Sequence, residues 1–156
     1  MRDRRFVAVH RGGPLEIAKH RLLAAWAAEC AQRVLPLFQE CSSDKRPERA
    51  IEIAQAWARG VVSVGEAQKA AVGAHAAARE VTGTSATAAA RAAGHAVATA
   101  HMADHCLGAS SYALKAVNAA GASAGEERAW QLAQLPADVR ELIETALNSR
   151  PGIRRR

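Results

Sequence analysis

The chain has 156 residues and a formal net charge of +6, and alanine supplies about a quarter of it. Aromatic residues make up only 4%, a composition that favours helices over sheets. The sequence contains no run of about 18 apolar residues and begins without the apolar core of a signal peptide. We therefore expect one cytoplasmic domain without a membrane partner.

The positive charge lies at the two ends of the chain. Eight arginines account for it: Arg2, Arg4, Arg5, Arg11, Arg150, Arg154, Arg155 and Arg156. Between the ends, acidic and basic residues are nearly equal in number, and no basic stripe with interleaved aromatic residues occurs. We therefore expect no nucleic-acid partner, and we divide the chain into a basic N-terminal arm (1–13), a helical bundle (14–149) and a basic C-terminal tail (150–156).

The first helix is predicted to begin at Gly13-Pro14 and to run to about Gln39, because proline suits the first helical position. The short apolar run 6–9 before it could either pack on the bundle in extended form or be mobile, and the sequence does not decide between them. Pro47 predicts the start of a second helix, and Gly60 its end.

A third helix is predicted from a capping box, Ser63 and Glu66, to about residue 83. The stretch 84–120 contains no proline and consists mostly of alanine and other small residues, so we expect a single long central helix there. At helical spacing, one face of this helix carries small and polar residues: Gly94, Ala98, His101, His105, Gly108 and Tyr112.

Two shorter helices are predicted to follow. A second capping box, Ser123 and Glu126, begins the first of them, whose apolar face we expect to carry Ala129, Trp130 and Ala133. After Pro136, apolar residues recur at spacings of three and four and predict an amphipathic last helix. The fold class is therefore all-α: a single-domain bundle of about six helices around a central Ala/Gly/His-rich helix.

Residues 121–125 match the pattern G-x-S-x-G, which in α/β-hydrolases places a serine nucleophile between a strand and a helix. Here a long predicted helix precedes the serine, and no sheet is predicted. The helix cap formed by Ser123 explains the same residues. We therefore expect no catalytic residue at this motif.

The histidines are the other candidate site. His101 and His105 are four residues apart and project from one helical face, and His75 on the third helix could supply a third metal ligand. His95 lies on another flank of the predicted long helix. The simpler interpretation is that these imidazoles exchange hydrogen bonds across a tight, alanine-rich interface. Both interpretations stay open at this point.

Three tryptophans, Trp26, Trp57 and Trp130, lie on apolar faces of separate helices, so we expect them to anchor the core. The three cysteines, Cys30, Cys41 and Cys106, are odd in number and have no CxxC spacing. We expect neither a disulfide nor a zinc knuckle.

Five segments, taken together and in this order, resemble one known family: HRGGPLEIAKHRLLAAWAAEC, RPERAIEIAQAWARG, SVGEAQKAA, AAGHAVATAHMADHCLGASSYALKAV and ERAWQLAQLP. The chain is similar to the all-helical immunity proteins of bacteria, the immunity-like domain associated with polymorphic toxin systems. The resemblance covers roughly residues 10–150 and includes the histidine-rich segment.

The resemblance implies a small cytoplasmic protein that binds and neutralises a cognate toxin. It brings no catalytic residues and no cofactor, so the expected function is non-enzymatic. The alternative function is a metal- or small-ligand-binding helical protein that uses His75, His101 and His105.

Overall fold

A computed structural model of the protein describes residues 2–149, and the predicted tail at 150–156 lies outside the described residues. Within this range the chain forms seven α-helices and no β-strand. The helices are α1 (Ile17–Gln39), α2 (Arg46–Ala58), α3 (Val64–Glu80), α4 (Thr84–Ala98), α5 (His105–Ala119), α6 (Ala124–Ala133) and α7 (Ala137–Ser149). The predicted all-α class is confirmed. No helix in residues 2–149 is both long and apolar enough to cross a membrane.

The predicted caps account for several helix boundaries. The Ser63 and Ser123 hydroxyls each accept a hydrogen bond from the backbone N–H three residues later, at 3.1 Å, and so begin α3 and α6. After α2, Gly60 adopts a positive φ of 78°, and Gly121 does so after α5 with 81°. Because side chains disfavour this left-handed conformation, glycine suits the end of a helix.

The predicted single helix at 84–120 is wrong, because the chain reverses direction at residues 99–104. Helices α4 and α5 pack antiparallel to each other. The hydroxyl of Ser85, near the start of α4, donates to the backbone carbonyl of Ala116, near the end of α5, at 3.0 Å. At the end of α4, the Thr99 hydroxyl donates to the His95 carbonyl, and the last hydrogen bonds shorten to three-residue spacing. Neither proline nor glycine marks this turn, so composition gave no signal for it.

Helix α4 is the centre of the bundle and packs against α1, α2, α3 and α5. Its buried residues surround the helix rather than forming one stripe, which is typical of a helix enclosed by others. They are almost all small: Ala86, Ala88, Ala89, Ala90, Ala92, Ala93, Gly94, Ala96, Val97 and Ala98. Short side chains allow the neighbouring backbones to approach closely, so the centre of this bundle is built from alanine.

The N-terminal segment packs on the bundle, but largely through short 3₁₀ helices at Arg4–Phe6 and Val9–Arg11 and not in the extended form considered from the sequence. Phe6 is buried with 3% of its surface exposed, and Ala8 and Leu15 form an isolated parallel bridge. The Leu15 amide donates to the carbonyl of Val7 at 3.0 Å. Because the backbone at Leu15 pairs with this segment, α1 begins at Ile17 and not at the predicted Pro14.

Helix α6 buries a polar face, contrary to the prediction. Glu127 and Gln131 are buried, whereas Ala129 and Ala133 are exposed. Trp130 is only half-buried, and the Arg33 guanidinium lies 4.5 Å from its ring centroid. The expectation that Trp130 anchors the core is therefore wrong.

Hydrogen bonds explain why Gln131 lies inside. Its backbone carbonyl accepts a hydrogen bond from the indole N–H of Trp26 at 2.8 Å. Its side-chain oxygen accepts from the Ser110 hydroxyl at 2.8 Å, and its side-chain nitrogen donates to the Ser110 carbonyl at 3.2 Å. These bonds join α1, α5 and α6, and they satisfy polar groups that burial would otherwise leave without partners.

The other two tryptophans are buried as predicted, Trp26 with 1% and Trp57 with 7% of the surface exposed. Cys30 and Cys106 are buried and Cys41 is exposed, and none of the three forms a disulfide within residues 2–149.

Replacing Gln131 with alanine is expected to lower the free energy of unfolding by about 1–3 kcal/mol, because the Ser110 hydroxyl and carbonyl would lose their buried partner. Urea unfolding followed by circular dichroism measures the change. Gln134→Ala, at an exposed position just after the same helix, is the matched control and should have little effect. Equal stability of the two variants would contradict a structural role for the Gln131 network.

Candidate functional site

Four imidazoles from four parts of the chain form the histidine cluster. His75 comes from α3, His95 from α4, His101 from the turn after α4, and His105 from the first residue of α5. None of the four side chains is completely buried. The reversal of the chain at residues 99–104 brings His95 and His105 together, although they are ten residues apart in sequence.

The rings of the cluster form a continuous row. The His75 and His95 ring centroids are 5.4 Å apart with an edge-to-face geometry, and those of His95 and His105 are 5.1 Å apart. His101 extends the row, with its centroid 5.4 Å from that of His105. Tyr112 stacks on His95 at 5.1 Å with an interplanar angle of 22°. His95 is therefore the centre of the group.

Hydrogen bonds constrain the protonation of this row. The Nδ1 atoms of His95 and His105 lie 3.0 Å apart, so one must donate and the other accept. Nη1 of Arg91 lies 2.8 Å from Nδ1 of His75. Because a guanidinium can only donate, Nδ1 of His75 is the acceptor and a neutral His75 carries its proton on Nε2.

Two glycines make room for the rings. A Cβ atom on Gly108 would lie 2.5 Å from Nδ1 of His95, and one on Gly94 would lie 2.6 Å from Cε1 of His75. Real Cβ atoms do not approach other heavy atoms so closely. The missing side chains therefore allow the imidazoles to lie against the backbones of α4 and α5.

The surroundings favour neutral imidazoles. Burial lowers the pKa of His75, and the nearby guanidinium of Arg91 lowers it further. Burial also lowers the pKa of His101 and of His105, while the carboxylate of Asp104 opposes that shift in both. A neutral imidazole has one nitrogen lone pair, which can accept a hydrogen bond or coordinate a metal ion.

At one edge of the cluster, Nδ1 of His101 is buried and makes no hydrogen bond to any of the described residues 2–149. At the other end, Nζ of Lys115 lies 6.0 Å from the Tyr112 ring centroid, at the outer limit of a cation–π contact. The cluster therefore combines residues of the predicted face, namely His101, His105, Gly108 and Tyr112, with residues from α3 and α4.

The position of His95 differs from the one predicted from the sequence. His95, predicted to lie on another flank, lies between His75 and His105, because α4 and α5 are separate antiparallel helices and not one continuous rod. Within residues 2–149, no three His, Cys, Asp or Glu side chains form a group ready to hold a metal ion. Metal binding by His75, His101 and His105 stays a prediction.

His20 is a buried polar residue that the sequence analysis missed. It is 2% exposed, its Nε2 donates to the Thr99 carbonyl at 2.6 Å, and its ring lies 4.7 Å from that of Trp57. Burial lowers its pKa. Helical spacing could have found it, because His20 falls on the same stripe as the buried residues Leu23 and Ala24.

The G-x-S-x-G segment is a helix cap, as predicted. Ser123 follows α5 and begins α6, and its hydroxyl accepts from the Glu126 amide. No strand precedes it within the described chain. The strand–turn–helix geometry of a hydrolase nucleophile is therefore absent at Ser123.

The fold and the cluster define an all-helical bundle protein with a half-buried, histidine-lined interface between α3, α4 and α5. The model of the family described as Imm-5 like putative immunity protein matches residues 13–138. Because this match spans most of the chain, the protein belongs to that family. Comparisons with curated proteins and with solved structures gave no match.

Replacing Gly108 with alanine is expected to lower the free energy of unfolding by about 1–3 kcal/mol, because the new methyl group would displace the His95 ring. Thermal or urea unfolding measures the effect. Gly73→Ala is the matched control, since its Cβ would lie 3.6 Å from the nearest atom, on the Arg46 side chain. That change should stabilise α3 by about 0.5–1 kcal/mol. Similar effects at both glycines would contradict the close packing of His95 on Gly108.

Acidification is expected to destabilise the protein, because the buried His20 binds a proton less readily when folded than when unfolded. An unfolded histidine has a pKa of about 6.5, so stability is fully present above that pH and is lost as pH falls through the lower folded pKa. The melting temperature should therefore fall between about pH 7.5 and 5 in buffer containing EDTA. His20→Gln should show a smaller fall, and an equal or larger one would contradict this role of His20.

Proposed function

We propose that this protein binds a cognate bacterial toxin and neutralises it. The observation that carries the proposal is the family match over residues 13–138, since the family is one of immunity proteins. The proposal places the encounter in the cytoplasm, and three cysteines that form no disulfide within residues 2–149 are compatible with such a reducing compartment.

Neutralisation by binding requires a stable surface and no reaction chemistry. We therefore infer a non-enzymatic role, in which the protein occludes a functional surface of the toxin. The close packing around α4 supports this mechanism, because a scaffold that is already ordered loses little conformational entropy on association.

The charge distribution bears on the kind of toxin. Inhibitors that capture strongly basic enzymes use an acidic surface to accelerate association. Between its basic ends this chain carries nearly balanced charge and contains no acidic run. We therefore propose a target other than a strongly basic nuclease.

Co-expression tests the proposal directly. The toxin candidate encoded next to this protein is expressed with the wild-type protein, and with an empty vector or an immunity protein of another family as controls. The expected result is growth rescue by this protein alone and a stable complex with the purified toxin on gel filtration. Failure of both rescue and complex formation with every adjacent gene product would contradict toxin neutralisation.

A further inference from the structure

We propose that His95 and His105 bind a divalent transition-metal ion through their Nδ1 atoms and that His101 supplies the third ligand. This inference does not depend on toxin binding. It differs from the set suggested by the sequence, because it replaces His75 with His95.

The geometry of the His95–His105 pair supports two adjacent ligands on one ion. Their Nδ1 atoms are 3.0 Å apart. With metal–nitrogen bonds of about 2.0–2.1 Å, this separation corresponds to an angle of about 90–97° at the metal. Neighbouring ligands of an octahedral or square-planar ion subtend about 90°, whereas a tetrahedral ion requires about 109°. The spacing therefore favours Ni²⁺ or Cu²⁺ over a tetrahedral structural zinc.

His101 can supply a third nitrogen. Its ring centroid lies 5.4 Å from that of His105, and its Nδ1 is buried with no hydrogen-bond partner among residues 2–149. A buried polar atom without a partner is unfavourable, and a bound metal ion would provide that partner. Because no three His, Cys, Asp or Glu side chains of residues 2–149 are grouped to hold a metal ion, the proposal requires the His101 side chain to rotate towards the pair when the ion binds.

His75 is excluded from the ligand set by its partner. The Arg91 guanidinium occupies Nδ1 of His75, so coordination through that atom would break the bond and place two cations together. Around His101 and His105, the carboxylate of Asp104 favours positive charge, whereas the guanidinium of Arg2, 3.1 Å from that carboxylate, opposes it.

The pair is also held in place from two sides. Tyr112 stacks on the His95 ring, and the absence of a Cβ on Gly108 leaves the space that Nδ1 of His95 occupies. Both restraints act on His95 before any ion arrives. Preorganised ligands lose less conformational freedom on binding, which favours affinity.

Isothermal titration of the metal-free full chain with NiCl₂, CuCl₂ and ZnCl₂ tests the proposal. We expect one site per chain, with Cu²⁺ and Ni²⁺ bound more tightly than Zn²⁺. His95→Asn and His105→Asn should each weaken Ni²⁺ binding by about tenfold or more. His75→Asn should leave it nearly unchanged, as should His10→Asn, which removes an exposed histidine outside the cluster.

A spectrum of the wild-type protein provides a measurement that does not depend on whether the variants fold. Adding CoCl₂ should produce the weak visible bands of six-coordinate Co²⁺, and intense bands would indicate a tetrahedral site. The absence of a 1:1 site, a tetrahedral spectrum, or retention of tight binding by folded His95→Asn would overturn the assignment. Loss of binding in His75→Asn with retention in His95→Asn would assign the site to His75, His101 and His105 instead.

Discussion

The close approach of helices lined by alanine and glycine is the constraint on which this structure depends. Helix α4 is enclosed by four other helices and carries almost no side chain larger than a methyl group on its buried surface. Such a helix makes few large apolar contacts of its own, so its stability comes from dense packing of many small groups. The larger core residues, such as Trp26 and Phe38, are supplied by α1.

The same close packing explains why the histidines lie where they do. Where α3, α4 and α5 meet, Gly94 and Gly108 leave spaces that flat rings fill, and the chain places imidazoles there. These rings are polar and need hydrogen-bond partners: His95 and His105 pair with each other, and His75 pairs with Arg91. Packing therefore affects protonation, because burial of the His75 and His105 rings lowers their pKa and favours the neutral form.

Family membership and the histidine cluster address different aspects of the protein. The proposed toxin binding would use the exposed surface, whereas the cluster is half-buried between helices. A metal ion bound between His95 on α4 and His105 on α5 would tie the two helices together and leave the outer surface unchanged. Toxin binding and metal binding can thus be measured independently.

Local signals in the sequence determined most helix boundaries. The serine caps at Ser63 and Ser123 and the glycine at Gly60 act through neighbouring backbone groups, so short segments reveal them. Tertiary structure alone decided the reversal between α4 and α5, since no residue in 99–104 breaks a helix and only packing of the two halves favours the turn. It also decided that α6 buries Gln131, whose partners come from α1 and α5. The position of His95 follows from that reversal. Helical periodicity describes residues along one helix, and it cannot show which side chains meet when two helices fold back on each other.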